Sequence, residues 1–552
     1  MRGGFVACLN GDPRKLDQVV EHMRWHRGEA ARERCAGLEI AAFVDPADGP
    51  LVEIRAGETI LVHGATPAPL AELQRREARF AAIAWDGRFL RASRDPMGLA
   101  PLFYRVFEGG VWWATEAQPL VALGKARPDL EALTARAAFV PLDDRTGWDG
   151  IFRVLPGSTV EIGPDLQTSS AAYWRPTDFL GRYRGSRAEA RAEFRERFRT
   201  AVARCYEPGS GILLSGGLDS SAVAMIAAQT EGARPHLVHV AFPGFPETDE
   251  REYANAVAAA AGASLHVVSG DASAWDADAE LDGWGGILYT WIPYGISDPA
   301  LAHLASRGIR VALDGHDGDG ALGVLGSNWG DLVLNGELRR IGALVARHGA
   351  WPLLRGLAVD FLPPYAWLRR LAGRSGRVTY MQSVARYFSA GLGSRIAADA
   401  DIDRWAWPSR RWRARQLQPL LPRATFTYEL KEVEAARHGV DMRHPFADRD
   451  LVEFLVSLPS AIKSDPMRAK AMLVDSLGDL LPDAIPGRPK GDHMVVVRRR
   501  ADAAACIEVI RASGVHLPGV EYGRLFEDVR SDADRVPLYF LIALARAHAF
   551  AR

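Results

Sequence analysis

Cysteine is scarce in this chain: Cys8, Cys35, Cys205 and Cys506 are the only four in 552 residues. No two stand in a CxxC or other metal-ligand spacing. That argues against a zinc ribbon, an iron–sulfur cluster or a disulfide-built scaffold, and leaves reduced thiols in a cytoplasmic protein as the expectation. Long hydrophobic runs are missing too. No stretch approaches the ~18 uncharged apolar residues of a membrane span. The opening Met1-Arg2-Gly3-Gly4-Phe5 has neither the apolar segment nor the cleavage site of a secretory signal. Charge of one sign is also absent: 67 Lys and Arg stand against 68 Asp and Glu, so no global basic field exists to hold nucleic acid. There is no internal repeat and no low-complexity tail. There is no GxxxxGK(S/T) loop either, so γ-phosphate transfer on a P-loop is not expected.

What is present is the balance of a soluble globular protein, 48% hydrophobic and 24% charged, in a chain long enough for two or three domains. Up to about residue 175 the pattern is short strands broken by turns, as in an antiparallel β-rich layered domain. Ala81-Ala82-Ile83-Ala84-Trp85, the turn Asp86-Gly87 and Arg88-Phe89-Leu90-Arg91-Ala92 form a hairpin signal. Val111-Trp112-Trp113-Ala114 after Gly109-Gly110 is a further strand. The texture changes near Gly185-Ser186. A charged, Ala-rich helix over 187–205 precedes the apolar strand Gly211-Ile212-Leu213-Leu214, a helix over 222–228, strands at 236–242 and 265–268 around a helix at 249–261, and a strand at 311–313. Strand–helix alternation predicts a parallel sheet with helices on its faces. From about residue 330 the pattern is mostly helical. The expected fold class is therefore α/β in two domains, 1–180 and 187–552.

Between the strand ending at Leu214 and the next helix stands Ser215-Gly216-Gly217-Leu218-Asp219-Ser220-Ser221. Glycines let backbone approach an anion, and the N–H groups and dipole of the following helix favour negative charge at the same place. Ser215, Ser220 and Ser221 add hydroxyl donors. Asp219 would repel bare phosphate, so its presence implies Mg²⁺, a hard ion that bridges carboxylate and phosphate oxygens. A second loop, Asp314-Gly315-His316-Asp317-Gly318-Asp319-Gly320, follows a predicted strand at the edge where open α/β sheets bind ligands. Its three aspartates offer the second Mg²⁺ carboxylate that Asp219 calls for. Two arginine-bearing stretches remain. Arg404-Trp405-Ala406-Trp407-Pro408 with Arg410-Arg411-Trp412-Arg413 is expected to be a packed helix with solvated arginines, with a peptide groove as an alternative. The 339–377 stretch is expected to be a partly exposed helical insertion.

These motifs resemble the asparagine synthetase class B superfamily over nearly the whole chain. Ser215 to Ser221 matches its pyrophosphate loop, and Gly315-His316-Asp317-Gly318-Asp319 its second Mg²⁺ loop. His438-Gly439-Val440-Asp441-Met442-Arg443-His444-Pro445-Phe446 and Arg488-Pro489-Lys490 match further segments. Phe80 to Asp86 and Ala92 to Tyr104 are similar to the family's glutaminase domain, which implies an N-terminal Ntn-type αββα layering. The glutaminases begin Met-Cys-Gly, with that Cys as nucleophile; here Arg2 stands in its place, so no thioester with glutamine is expected.

The resemblance implies an AMP-forming ligase using ATP and Mg²⁺. Asp219 and Asp319 would hold the metal. Ser215, Gly216, Gly217, Ser220 and Ser221 would hold phosphate, Leu213, Ala241 and Gly315 adenosine, and Lys490 the charge of phosphates and intermediate. His316 with Glu429 would take the amine proton. Two branches that close rings rather than use ammonia are similar here: lasso-peptide cyclases and β-lactam or carbapenam synthetases. The wording of the 315–319 loop is more like the former. The favoured substrate is a leaderless precursor peptide, with a leader peptidase and a leader-recognition protein as candidate partners. No nucleic acid and no membrane insertion are expected. An ammonia-dependent asparagine synthetase and an inactive peptide-presenting homologue are the alternatives.

Overall fold

At the Asp86-Gly87 turn, Gly87 takes a φ of +89°. The Asp86 carboxylate accepts from the N–H groups of Arg88 (2.8 Å) and Phe89 (2.7 Å), closing Ala81–Trp85 antiparallel on Leu90–Arg94. This computed structural model describes residues 4–23, 30–35, 37–43, 52–55, 58–65, 68–75, 79–124, 126–138, 144–230, 232, 234–270, 296–322, 329–361, 384–393, 417, 422–488, 503–531 and 538–552.

The hairpin belongs to one of two six-stranded antiparallel sheets. In spatial order one is Phe152–Arg153, Phe103–Phe107, Gly110–Ala114, Phe5–Leu9, Leu38–Ala42, Ala31–Cys35. The other is Thr168–Ala172, Ser158–Ile162, Leu90–Arg94, Ala81–Trp85, Glu58–His63, Val52–Arg55. Their inner faces meet, with Phe5, Ala7 and Ile40 packed against Leu61, Ile83 and Val160. Alternate residues of the same strands point outward. Val6 and Cys8 bury under the Pro13–Val20 helix, and Ile60 and Val62 under Leu70–Leu73. The layers are helix, sheet, sheet, helix, as the resemblance implied.

The second region opens on the Arg187–Cys205 helix. Ser186 and Glu189 form a reciprocal capping box at its start, a device in which the cap residue contributes about 0.5–2 kcal/mol. Ala190, Phe194, Phe198, Ala201 and Val202 recur at three- and four-residue spacing and bury one face. Phe198 meets Phe446 at 4.8 Å between ring centroids. A five-stranded parallel sheet lies beside it, in the order Leu265–Ser269, His236–Ala241, Gly211–Leu213, Val311–Leu313, Asp441–Arg443. The four expected strands all form. Asp441–Arg443 is a fifth that the sequence reading lacks, because three residues carrying two charges show no apolar period. The helix after the Ser-Gly-Gly turn begins at Leu218, four residues before the expected start, so Asp219, Ser220 and Ser221 lie in its first turn.

The described C-terminal part is helical. Its last helix, Leu538–Phe550, packs on Leu130–Ala137 of the first region through Leu541, Leu544 and Leu133. The 339–377 stretch is described only as far as residue 361, within helices Leu338–His348 and Trp351–Phe361. The 404–413 segment lies outside the described residues. Among the described residues no helix is long and apolar enough to cross a membrane.

Candidate active site

Two loops leave the carboxyl edge of the parallel sheet side by side. Ser215 Oγ accepts from the Gly217 N–H (3.2 Å) and lies 3.0 Å from Ser220 Oγ, which in turn accepts from the Ser215 N–H (3.2 Å). These bonds hold a tight turn at the start of the Leu218–Ala228 helix. No side chain caps that helix, so its first-turn amides face the mouth of the loop. Gly216 sits at φ +78°, and a Cβ there would lie 2.9 Å from the Ala254 nitrogen. Only glycine fits both the dihedral and the neighbour. Gly315 and Gly318 serve the approach of the second loop to the first. A Cβ would lie 2.5 Å from Ser220 N at Gly315, and 2.3 Å from Asp219 Cγ at Gly318.

This approach brings Asp219 and Asp319 together. Both carboxylates contact one cation, Lys470: its Nζ pairs with Asp219 and lies 2.7 Å from Asp319 Oδ1. Burial disfavours the ammonium, but the two aspartates prevail and raise its pKa above the ordinary lysine value. Lys470 holds the left-handed conformation (φ +50°) just before the Ala471–Leu477 helix, an uncommon one for a side-chain-bearing residue. The sequence reading missed it. It stands 251 residues from Asp219, and a lone lysine before a short helix carries no local signal. Lys490, expected in this role, lies outside the described residues. Its neighbour Arg488 is described. It ion-pairs with Glu250, both side chains under one-tenth exposed, and lies 4.7 Å from the Tyr253 ring centroid, beside Gly217.

The donor chemistry fits Mg²⁺. Two hard oxygen ligands on adjoining loops already converge on a single positive charge, next to a turn built for phosphate. Leu213 and Ala241 end neighbouring strands on this edge and stay partly exposed. Gly315 is pressed against Ser220 and so joins the two loops.

Behind them is a buried polar cluster. Asp314 accepts from His444 Nδ1 (2.7 Å) and pairs with Lys431 (3.3 Å). Burial alone would raise its pKa, but His444 and Lys431 hold it well below the carboxylate range. His316 Nε2 lies 3.0 Å from Thr427 Oγ1, and burial, outweighing Asp317, lowers its pKa below the usual histidine value. Tyr428 donates its hydroxyl to Asp317. Burial and then Asp317 push that phenol far up, so it stays protonated.

The expected His316–Glu429 pair does not form. Glu429 is fully buried and bound to two arginines of the first region, Arg94 (2.9 Å) and Arg153 (3.3 Å), themselves at most 1% exposed. On the Pro422–Arg437 helix, Thr427, Tyr428 and Lys431 share the face toward the 314–319 loop. Glu429, rotated away from that face, meets the antiparallel domain instead. Cys8 is mid-strand and paired on both sides, and burial pushes its thiol up to about 12.

An uncapped helix N-terminus, a Ser-Gly-Gly turn and facing carboxylates at one sheet edge define an anion-binding α/β domain of the kind that holds phosphate. The chain belongs to the asparagine synthase family, whose model matches residues 193–527. It is 23% identical over 448 residues to "Amidase chry2" of Gibberella zeae (71% of this chain, 65% of that one). It is 28% identical over 270 residues to "Amidase chyE" of Penicillium rubens (45% and 40%). With the carboxyethyl-arginine beta-lactam-synthase of Streptomyces clavuligerus it shares 32% identity over 157 residues (28% and 29%). The matches thus span 65% and 40% of the lengths of the two amidases.

Proposed function

We propose that this chain is an ATP-dependent, AMP-forming carbon–nitrogen ligase that closes an amide within a single peptide substrate. The observation that carries the reading is the meeting of Asp219, Asp319 and Lys470 beside the Ser-Gly-Gly turn. In this scheme a substrate carboxylate attacks the α-phosphorus of ATP, and the bond to the β-phosphate oxygen breaks. The Ser215–Ser221 loop and the amides of its helix receive the pyrophosphate. Lys470 offsets the phosphate charge from a preorganised position. Magnesium held by Asp219 and Asp319 would neutralise the triphosphate further. The substrate's own amine then attacks the acyl carbon and AMP leaves. The amine proton passes to the neutral His316 imidazole, within the cluster of Thr427, Tyr428 and Asp317. Holding both ends in one pocket contributes up to roughly 7–11 kcal/mol of the barrier.

Two features favour an amine from the substrate over one from glutamine. Cys8 is buried and protonated. Cys35 sits on an edge strand with its sulfur directed at Thr59 Oγ1, 3.9 Å away. The resemblance of Gly315-His316-Asp317-Gly318-Asp319 to lasso-peptide cyclases favours a leaderless precursor peptide, joined at an Asp or Glu side chain. The identity to a beta-lactam-synthase favours a second reading, closure of a small amino acid.

The test is incubation with ATP, Mg²⁺ and a panel of leaderless peptides, following AMP, pyrophosphate and loss of one water from the peptide by mass. AMP release with a dehydrated peptide is the expected result. Dehydration of small amino acids alone selects the second reading, and ADP release sinks both.

A further inference from the structure

The parallel sheet has an amino-terminal edge too, away from the phosphate loop. His236 opens the His236–Ala241 strand, and His266 is the second residue of Leu265–Ser269. His303 stands on the Asp298–Ser306 helix, whose Ala300, Leu301 and Leu304 pack on that sheet with Val238. The register pairs Val238 with His266. Side chains alternate along a strand, so His236 shares the face of Val238 and His266. The imidazoles of His236 and His266 stack at 4.0 Å, 9° apart, and His303 lies 5.2 and 5.3 Å from them, all between centroids. His236 Nε2 and His303 Nε2 are 3.0 Å apart. One nitrogen from each ring lies within 4.8 Å of the other two. All three residues are partly exposed, so an ion can enter from solvent.

We propose that His236, His266 and His303 form a binding site for one divalent transition-metal ion, zinc first of all, which clasps two strands to the helix over them. Zn–N bonds of about 2.0–2.1 Å at tetrahedral angles place ligand nitrogens about 3.3–3.4 Å apart. The nitrogen spacing in the cluster brackets that value, and the stacked His236 and His266 rings must turn out of parallel to aim both lone pairs at one ion. Solvent completes the fourth position. Imidazole donors select zinc, copper or nickel, whereas magnesium prefers oxygen, so this site and the Asp219–Asp319 pair take different metals. Burial and the neighbouring histidines hold His236 near 4, and burial lowers His303 as well, so their lone pairs are free at neutral pH. Arg307 opposes a cation here but is solvent-exposed and therefore screened.

The experiment uses the chelator-stripped full-length protein with saturating Mg²⁺ present. Zn²⁺ is added in a calorimeter, and Co²⁺ is followed by visible absorption. One equivalent should bind. His266→Gln and His303→Gln should each weaken affinity by at least about tenfold, the lower end of what even outer-shell losses cost, while the metal-free melting temperature is kept. Should a variant fail to fold, Cu²⁺ in the wild-type protein decides: its paramagnetic resonance must show nitrogen couplings. Binding of no stoichiometric metal, binding indifferent to both substitutions, oxygen-only coordination of copper, or displacement by Mg²⁺ would each overturn the proposal.

Discussion

Glu429→Gln separates two roles that one residue cannot hold together. The carboxylate is fully buried between Arg94 and Arg153, so the substitution leaves two guanidinium groups without their counter-charge in a dry interface. Breaking a buried pair by removing one partner costs about 3–5 kcal/mol. At roughly 2–4 °C per kcal/mol for a unit of 150–250 residues, the melting midpoint should fall by on the order of 10 °C. The triple variant Arg94→Met, Arg153→Met, Glu429→Leu should recover part of this, since well-packed apolar replacements of buried ions are often neutral. Recovery is incomplete because Arg94 also donates to the carbonyls of Gly98 (2.6 Å) and Val154 (3.3 Å). Circular dichroism melts provide the assay, with ATP–pyrophosphate exchange measured alongside. A Glu429→Gln protein that melts like wild type yet forms no amide would refute the interface role and restore Glu429 as proton acceptor.

Lys470→Met should reduce ATP–pyrophosphate exchange by about 10²–10³-fold, the scale for losing one preorganised charge, in a protein that circular dichroism shows still folded; wild-type exchange in that variant contradicts the site. Gly318→Ala, whose new Cβ would fall 2.3 Å from Asp219 Cγ, should weaken ATP–Mg²⁺ binding about tenfold, near 1.4 kcal/mol, read as a smaller ligand-induced thermal shift. His548 is buried between Ser513 Oγ (2.8 Å) and Tyr522 Oη (2.7 Å), and burial holds it at about 4 rather than 6.5. Below pH 6.5 the unfolded chain therefore binds a proton that the folded one refuses. Stability is fully present above 6.5 and declines toward pH 4, by on the order of 3 kcal/mol for this group. His548→Gln should flatten a urea-midpoint profile over that window.

Much of the scaffold could be read from local pattern. The Asp86-Gly87 hairpin, the apolar strand before Ser215 and the Ser186-capped helix each satisfy a short-range rule, and each forms. The loops bearing Asp219 and Asp319 could also be read, because two acid-bearing glycine loops at strand ends support one another where either alone could be a solvated turn. Lys470 could not, since it meets those carboxylates only through the tertiary fold. Glu429 lies away from His316 for the converse reason. Its place in the sequence fits a dyad, but one helical step turns it from the His316 side toward Arg94. The Asp441–Arg443 strand escaped because its pairing with Val311–Leu313 comes from a neighbour, with no alternation of its own.

The Pro422–Arg437 helix has a consequence for how this protein can be divided. Tyr428 and Lys431 serve the loop at the sheet edge. Glu429 and Glu432, on the adjoining face, are held by Arg94, Arg153 and Arg79, and Arg79 also grips Asp441 at 2.7 Å. The first domain is thus the outer half of a vice around a helix whose other face meets the 314–319 loop. Cutting that part away would strip the buried Glu429 of both its arginines, and the partly exposed Glu432 and Asp441 of Arg79.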